Sequence, residues 1–175
     1  MNNKIKVLLS EEQVDARIAE LGAQISKEYE GEEIFMICTL KGACFFACEL
    51  AKRITVPVAL DFMSVSSYGN SSVSSGKIIM KKDLEESIVG KNVIVVEDIV
   101  DTGRTLSYLM DNLKQRGPKS LKLCAMLDKP DRRVVDIKAD YTGFEIPDLF
   151  VIGYGLDYAQ RYRNLPYIGV LEVEE

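Results

Sequence analysis

Residues 93–105 read VIVVEDIVDTGRT. Four apolar residues, Val93 to Val96, run straight into Glu97 and Asp98, and then into Asp101-Thr-Gly-Arg-Thr105. An unbroken apolar run bounded by polar residues reads as a strand covered on both faces. Carboxylates that follow it stand where open α/β sheets bind ligands, outside the carboxyl ends of their strands. The turn at 101–105 then opens a helix, marked by Leu106, Leu109, Met110 and Leu113 on one face and ended by Gly117-Pro118. A helix amino terminus presents free N–H groups and a positive end to a phosphate. Gly103 lets the backbone come close, and Thr102 and Thr105 add hydroxyl donors. The carboxylates suit sugar hydroxyls or a divalent cation. A sugar phosphate satisfies both halves; the plainer alternative is a solvated acidic loop capping a helix.

Outward from this stretch, helix and strand signals alternate. Ser10-Glu-Glu-Gln13 is a capping box, followed by Val14, Ile18, Leu21 and Ile25 on one helical face. Residues 34–40 form a second continuous apolar run, broken by Lys41-Gly42, and 43–54 read as another helix. Val58 to Val65, Ile78 to Lys82, Leu121 to Leu127 and Phe150 to Gly153 are further strand candidates. Gly153-Tyr-Gly155 lacks the third glycine of a dinucleotide fingerprint and reads as a turn. The alternation predicts an α/β fold, a mostly parallel sheet flanked by helices, with 1–175 as one domain. The single low-complexity stretch is SSYGNSSVSSG at 66–76.

Bulk composition narrows the function. The chain has 175 residues, is 47% hydrophobic and 28% charged, and carries a net charge of −5 with a pI near 5.0. That balance opposes a broad nucleic-acid face, which needs a basic stripe. No apolar run approaches the roughly 18 residues of a membrane span, and the amino-terminal patch is too short for a signal peptide; a cytoplasmic protein is expected. There is no histidine, so acid–base work falls to carboxylates, lysine or tyrosine. Cys38, Cys44, Cys48 and Cys124 sit in apolar surroundings and read as buried free thiols rather than as a zinc site.

VIVVEDIVDTGRT resembles the phosphoribosyl diphosphate (PRPP) motif of the type I phosphoribosyltransferases. Leu40-Lys-Gly42, Ser67-Tyr68, Lys129 and FEIPDLFVIGYGLDYAQRYRNLP at 144–166 are similar to one branch, the hypoxanthine-guanine enzymes. The resemblance spans nearly the whole chain in the family's order. It implies the type I fold, with a small hood built from chain-terminal segments. It implies purine salvage: transfer of the phosphoribosyl group from PRPP to hypoxanthine or guanine, with Mg2+ as cofactor, in a homodimer or homotetramer.

Residue by residue, the resemblance implies that Glu97 and Asp98 hold the ribose hydroxyls, directly or through magnesium. Residues Asp101, Thr102, Gly103, Arg104 and Thr105 would cradle the 5′-phosphate, and Asp101 would also serve as general base beside purine N7. Lys129 would donate to the 6-oxo group, with Ile99, Phe150 and Val151 against the base. Asp157 would lie at the purine end and ligate a magnesium on the diphosphate. Arg163 and the Leu40-Lys41-Gly42 backbone would grip that diphosphate, and the Leu40–Lys41 bond would be cis. Residues 66–78 would close as a lid, with Ser67 and Tyr68 reaching the diphosphate.

By composition and position alone, Lys129 is an ordinary surface charge, Phe150 a core residue, and Asp157 with Arg163 a solvated pair of little worth. Two other functions fit parts of the pattern: a sibling enzyme using xanthine, and a PRPP-sensing regulator that binds RNA on the same fold. The low pI opposes the regulator. A phosphoacceptor receiver domain also places aspartates at strand ends, but it does not call for Asp-Thr-Gly-Arg-Thr.

Overall fold

The computed structural model describes residues 4–67 and 78–172. Its elements in chain order are β1 (Lys4–Leu9), α1 (Glu11–Glu28), β2 (Ile34–Thr39), α2 (Cys44–Arg53), β3 (Val58–Ser67), β4 (Ile78–Lys82), β5 (Asn92–Val100), α3 (Arg104–Gln115), β6 (Ser120–Asp128), β7 (Tyr141–Glu145), β8 (Val151–Ile152) and β9 (Ile168–Glu172). A 3-10 turn, Pro130–Arg132, follows β6.

The main sheet has six strands in the order β4-β3-β2-β5-β6-β7. All neighbours run parallel except β3 and β4, which pair antiparallel. Strand order reverses between β2 and β5, because β2 leads through α2 to β3 on one side while β5 leads through α3 to β6 on the other. That reversal opens a crevice at the carboxyl ends of β2 and β5.

Both faces of the sheet are covered, which is why β2 and β5 read as unbroken apolar runs. On one face, Ile34, Met36, Cys38, Ile94 and Val96 pack with Val14, Ile18 and Leu21 of α1 and Phe46 and Leu50 of α2. On the other, Phe35, Ile37, Val93 and Val95 pack with Leu106, Leu109 and Leu113 of α3. Alternate residues of one strand thus serve opposite layers. The capping box forms as expected: the Gln13 N–H donates to the Ser10 hydroxyl, and the Ser10 N–H donates to Gln13 Oε1.

A second sheet, β1-β9-β8, is antiparallel and joins the two ends of the described chain to the segment after β7. It is the hood. Strands β1, β7 and β9 carry no clear signal in the sequence. β1 alternates poorly and is largely exposed, and Gly143 interrupts β7. The thiol expectation holds for Cys38 and Cys124, which are buried; Cys44 is half-buried and Cys48 exposed. Helix α2 buries Phe46, Ala47 and Leu50, and the i,i+4 pair Cys44 and Cys48 lies on its flank. Among the described residues, no helix is long and apolar enough to cross a membrane.

Candidate active site at the sheet switch point

Strand β5 runs four residues past the 93–96 run. Its far end pairs only with β6, through Glu97–Ala125, Ile99–Leu127 and Val100–Asp128, because β2 has already ended at Thr39. Glu97 and Asp98 are therefore still strand residues, held rigidly, but they border the crevice where β2 stops. The Thr39 hydroxyl lies 2.8 Å from Glu97 Oε1 and 2.9 Å from the Val96 carbonyl, and its one proton can serve only one of them. The Ile99 N–H donates to Asp98 Oδ1 at 2.7 Å.

Burial, and then the Asp98 charge beside it, push the Glu97 carboxyl well above the usual range. Burial raises Asp98 as well, against hydrogen bonds and the positive charge of Arg163, which favour its ionised form. Two adjacent carboxyls that resist ionising together are relieved by a cation. The donors are hard oxygens. Among the described residues no three His, Cys, Asp or Glu side chains converge. A cation bound there would take its remaining ligands from water or from a bound phosphate, as Mg2+ commonly does.

After Thr39 the chain turns through Leu40–Lys41, whose peptide is cis, as the resemblance implied. The turn brings Gly42 against Asp98: a Cβ on Gly42 would stand 1.5 Å from Asp98 Oδ2. From the other side, a Cβ on Gly155 would stand 1.9 Å from the Gly42 carbonyl. Gly155 has φ 99°, which also favours glycine. The Arg163 guanidinium donates to the Gly155 carbonyl at 2.6 Å, and the Gly155 N–H donates to the Arg163 carbonyl at 2.9 Å. Arg163 also pairs with Asp157 at 2.8 Å, and Lys41 and Arg163 both reach Gln160 Oε1. Residues 153–163 are thus stapled against the 40–42 turn.

Beyond β5, a cavity of about 240 Å3 is lined by Thr39, Leu40, Glu97 and Ile99 and by Asp101, Thr102, Gly103 and Thr105 of the turn. Gly103 caps α3 in the left-handed region, φ 82°. Its missing side chain matters inward as well as outward, since a Cβ there would meet Ile137 at 2.5 Å. A larger cavity, about 490 Å3, opens at the opposite end of the sheet beside Ile34 and Asn92, far from these carboxylates.

Lys129 is buried although charged, 8% exposed, and its ammonium lies 3.6 Å from Asp148. Its N–H donates to the Val100 carbonyl at 3.0 Å, tying the loop after β6 to the end of β5. Phe150 is 54% exposed, edge-on to Tyr158 with centroids 5.8 Å apart, and Val151 beside it is buried in β8. An exposed phenylalanine presented by a rigid hood is not a core residue. Ser67 ends β3 opposite Ile78 of β4. Tyr68 and most of the expected lid lie outside the described residues.

Several contacts in this region involve residues that the sequence did not single out. Thr39 touches Glu97, Arg132 pairs with Asp101 at 3.1 Å, and Arg133 bridges the Asp101 carbonyl and the buried Asp128 carboxylate. A tandem Arg132-Arg133 in an acidic chain was the available signal; Asp128 is near it in sequence, but Asp101 lies 31 positions from Arg132.

The sequence profile of the phosphoribosyl transferase domain matches residues 5–159. The chain belongs to the phosphoribosyl transferase family. Within it, the chain is 53% identical to the hypoxanthine-guanine phosphoribosyltransferase of Bacillus subtilis, over 95% of this chain and 93% of that one. It is 54% identical to the bifunctional protein TilS/HprT of Listeria monocytogenes over 99% of this chain, but it spans only 27% of that longer protein. A crystal structure of a hypoxanthine-guanine phosphoribosyltransferase from Bacillus anthracis superposes with a TM-score of 0.92 at 50% identity, covering 97% of this chain and 100% of that one. The phosphoribosyl transferase fold therefore accounts for the mixed sheet, its flanking helices and the crevice at the switch point.

Proposed function

We propose that the chain transfers the 5-phosphoribosyl group from PRPP to hypoxanthine, and to guanine, releasing diphosphate and the purine nucleoside monophosphate. One arrangement carries this reading: two strand-held carboxylates at the switch point, followed at once by a phosphate-type turn, with a buried lysine tied to the same strand end. The similarity to hypoxanthine-guanine enzymes from two Bacillus species supports it.

In this reading the amide groups of the turn, with Thr102 and Thr105, hold the 5′-phosphate. Glu97 and Asp98 face the ribose hydroxyls, directly or through magnesium, and Asp157 would ligate a magnesium on the diphosphate. Magnesium, when bound, neutralises charge on the diphosphate leaving group. The Leu40-Lys41-Gly42 backbone and Arg163 grip that diphosphate from the other side, and Ser67 and Tyr68 reach it from the lid. A purine nitrogen forms its bond to C1′ as the C1′–diphosphate bond breaks, and Asp101 accepts the base proton. Lys129 donates to the 6-oxo group, and Phe150 covers the ring, with Ile99 and the Val151 backbone along its edges. Water has to be kept from the activated ribosyl carbon, and that is the task of segment 66–78. Cytoplasmic location and assembly as a homodimer or homotetramer belong to the same reading.

The test is turnover with PRPP, magnesium and four purines. Hypoxanthine and guanine should be converted, xanthine weakly or not at all, and adenine not. Preferred use of adenine or xanthine, or no transfer to any base, would overturn the assignment.

A further inference from the structure

Asp101 and Lys129, the two groups assigned above to the purine, are joined by a chain of alternating charge. Arg132 Nε lies 3.1 Å from Asp101 Oδ1, and Arg132 Nη1 lies 3.6 Å from Asp148 Oδ2. Asp148 Oδ1 in turn lies 3.6 Å from the Lys129 ammonium. The backbones beneath are already locked. Lys129 N–H donates to Val100, Val134 N–H to Thr102, and Arg133 to the Asp101 carbonyl. What the backbone does not set is where the side chains point, since Asp101, Arg132 and Asp148 are each about half exposed.

We propose that Arg132 is a positioning residue of the base site. It holds the Asp101 carboxylate and, through Asp148, the Lys129 ammonium as one unit aimed at two neighbouring polar atoms of the same purine edge. The inference rests on the proposed function. Its physical basis is the rigid guanidinium fork: Nε donates to Asp101 while Nη1, on the same fixed plane, carries its positive charge to within 3.6 Å of Asp148; the three donors of an ammonium rotate freely and fix such a geometry less firmly. Stability is not the purpose, because exposed ion pairs contribute little to it. A carboxylate left free to rotate, by contrast, meets its proton in the wrong place most of the time, and about an ångström of misplacement costs roughly 10²-fold in rate.

The experiment compares wild type, Arg132→Met, Arg132→Lys, Asp101→Asn and the Arg132→Met/Asp101→Asn double variant in steady-state transfer to hypoxanthine, with Tm measured for each. Arg132→Met keeps the apolar stem and removes the fork. It should leave Tm and the KM for PRPP near wild type while kcat falls about tenfold, within the range that misplacement explains. Arg132→Lys should recover part of that loss. In the Asp101→Asn background, removing Arg132 should cost no more than about twofold, since residues acting as one unit are not additive. An unchanged kcat in Arg132→Met, or a full second loss in the double variant, would overturn the role of Arg132 while leaving the activity standing. A wild type without transfer to any purine would overturn both.

Discussion

Gly42 and Asp98 are in contact so close that no side chain fits between them: a Cβ on Gly42 would overlap Asp98 Oδ2 at 1.5 Å and reach Cγ at 2.5 Å. The two residues lie 56 positions apart, one in the turn after β2 and the other on β5. Gly42 is not held at positive φ, so its requirement is steric alone. Gly42→Ala should therefore fold, since the carboxylate can swing away, but Asp98 would leave its hydrogen bond to the Ile99 N–H. The expected result is a Tm within a few degrees of wild type and a kcat/KM for PRPP lower by about 10²-fold, the scale of an ångström's displacement. Near-normal kinetics would mean that the Asp98 orientation does not matter.

Asp101→Asn tests charge without changing shape. Loss of a general base typically costs about 10²–10⁴-fold. PRPP binding, measured directly by calorimetry in the absence of purine, should change little. A kcat near wild type would remove Asp101 from proton transfer.

Thr105→Val deletes one hydroxyl from the turn that opens α3 and keeps the volume. The KM for PRPP should rise while that for hypoxanthine stays put. The opposite split would show that the turn does not hold the phosphate.

Lys129 should set base choice. Its ammonium donates, and adenine offers a donor where hypoxanthine offers an acceptor. Sites built on one such hydrogen bond discriminate by roughly 10⁴–10⁵-fold. Lys129→Ala should lower kcat/KM for hypoxanthine and narrow the gap to adenine, because repulsion goes with attraction. Since Lys129 is buried beside Asp148, the PRPP KM is the control and should barely move. An unchanged ratio between the two bases would rule out Lys129 as the reader of the 6-position.

A fifth prediction concerns stability. Glu28 at the end of α1 accepts from Lys122 on β6 and from the Tyr141 hydroxyl on β7. The Lys122 contact first, and Tyr141 second, hold the Glu28 carboxyl below its ordinary 4.5. A carboxyl depressed in the folded state stabilises above its unfolded value, and that contribution is lost as pH falls through the folded value. Glu28→Gln should accordingly lower the urea midpoint at pH 7 by a modest amount, the pair being partly exposed, and the difference from wild type should shrink toward pH 3. A constant difference across that window would mean that charge is not what Glu28 contributes.

Much of this protein was legible in one dimension. The unbroken apolar runs at 34–40 and 93–96 marked strands buried on both faces, because a strand that serves two layers has no polar side to show. The capping box at Ser10 and the spacing of Leu106, Leu109 and Leu113 marked helices for the same kind of local reason. The site's two halves, Glu97-Asp98 and 101–105, were visible because they are adjacent in sequence and the strand–turn–helix unit that joins them is local.

Only the folded chain decided the rest. It took tertiary packing to bring β1 beside β9, to set Gly155 against Gly42 and Gly42 against Asp98, and to lay Arg132 and Arg133 on Asp101. It also turned Cys48 outward, from the flank of a helix that the sequence correctly located. Periodicity records which side of an element faces the core, since burial repeats with the element's own geometry. It carries no record of which distant element arrives there, because that depends on how whole layers stack.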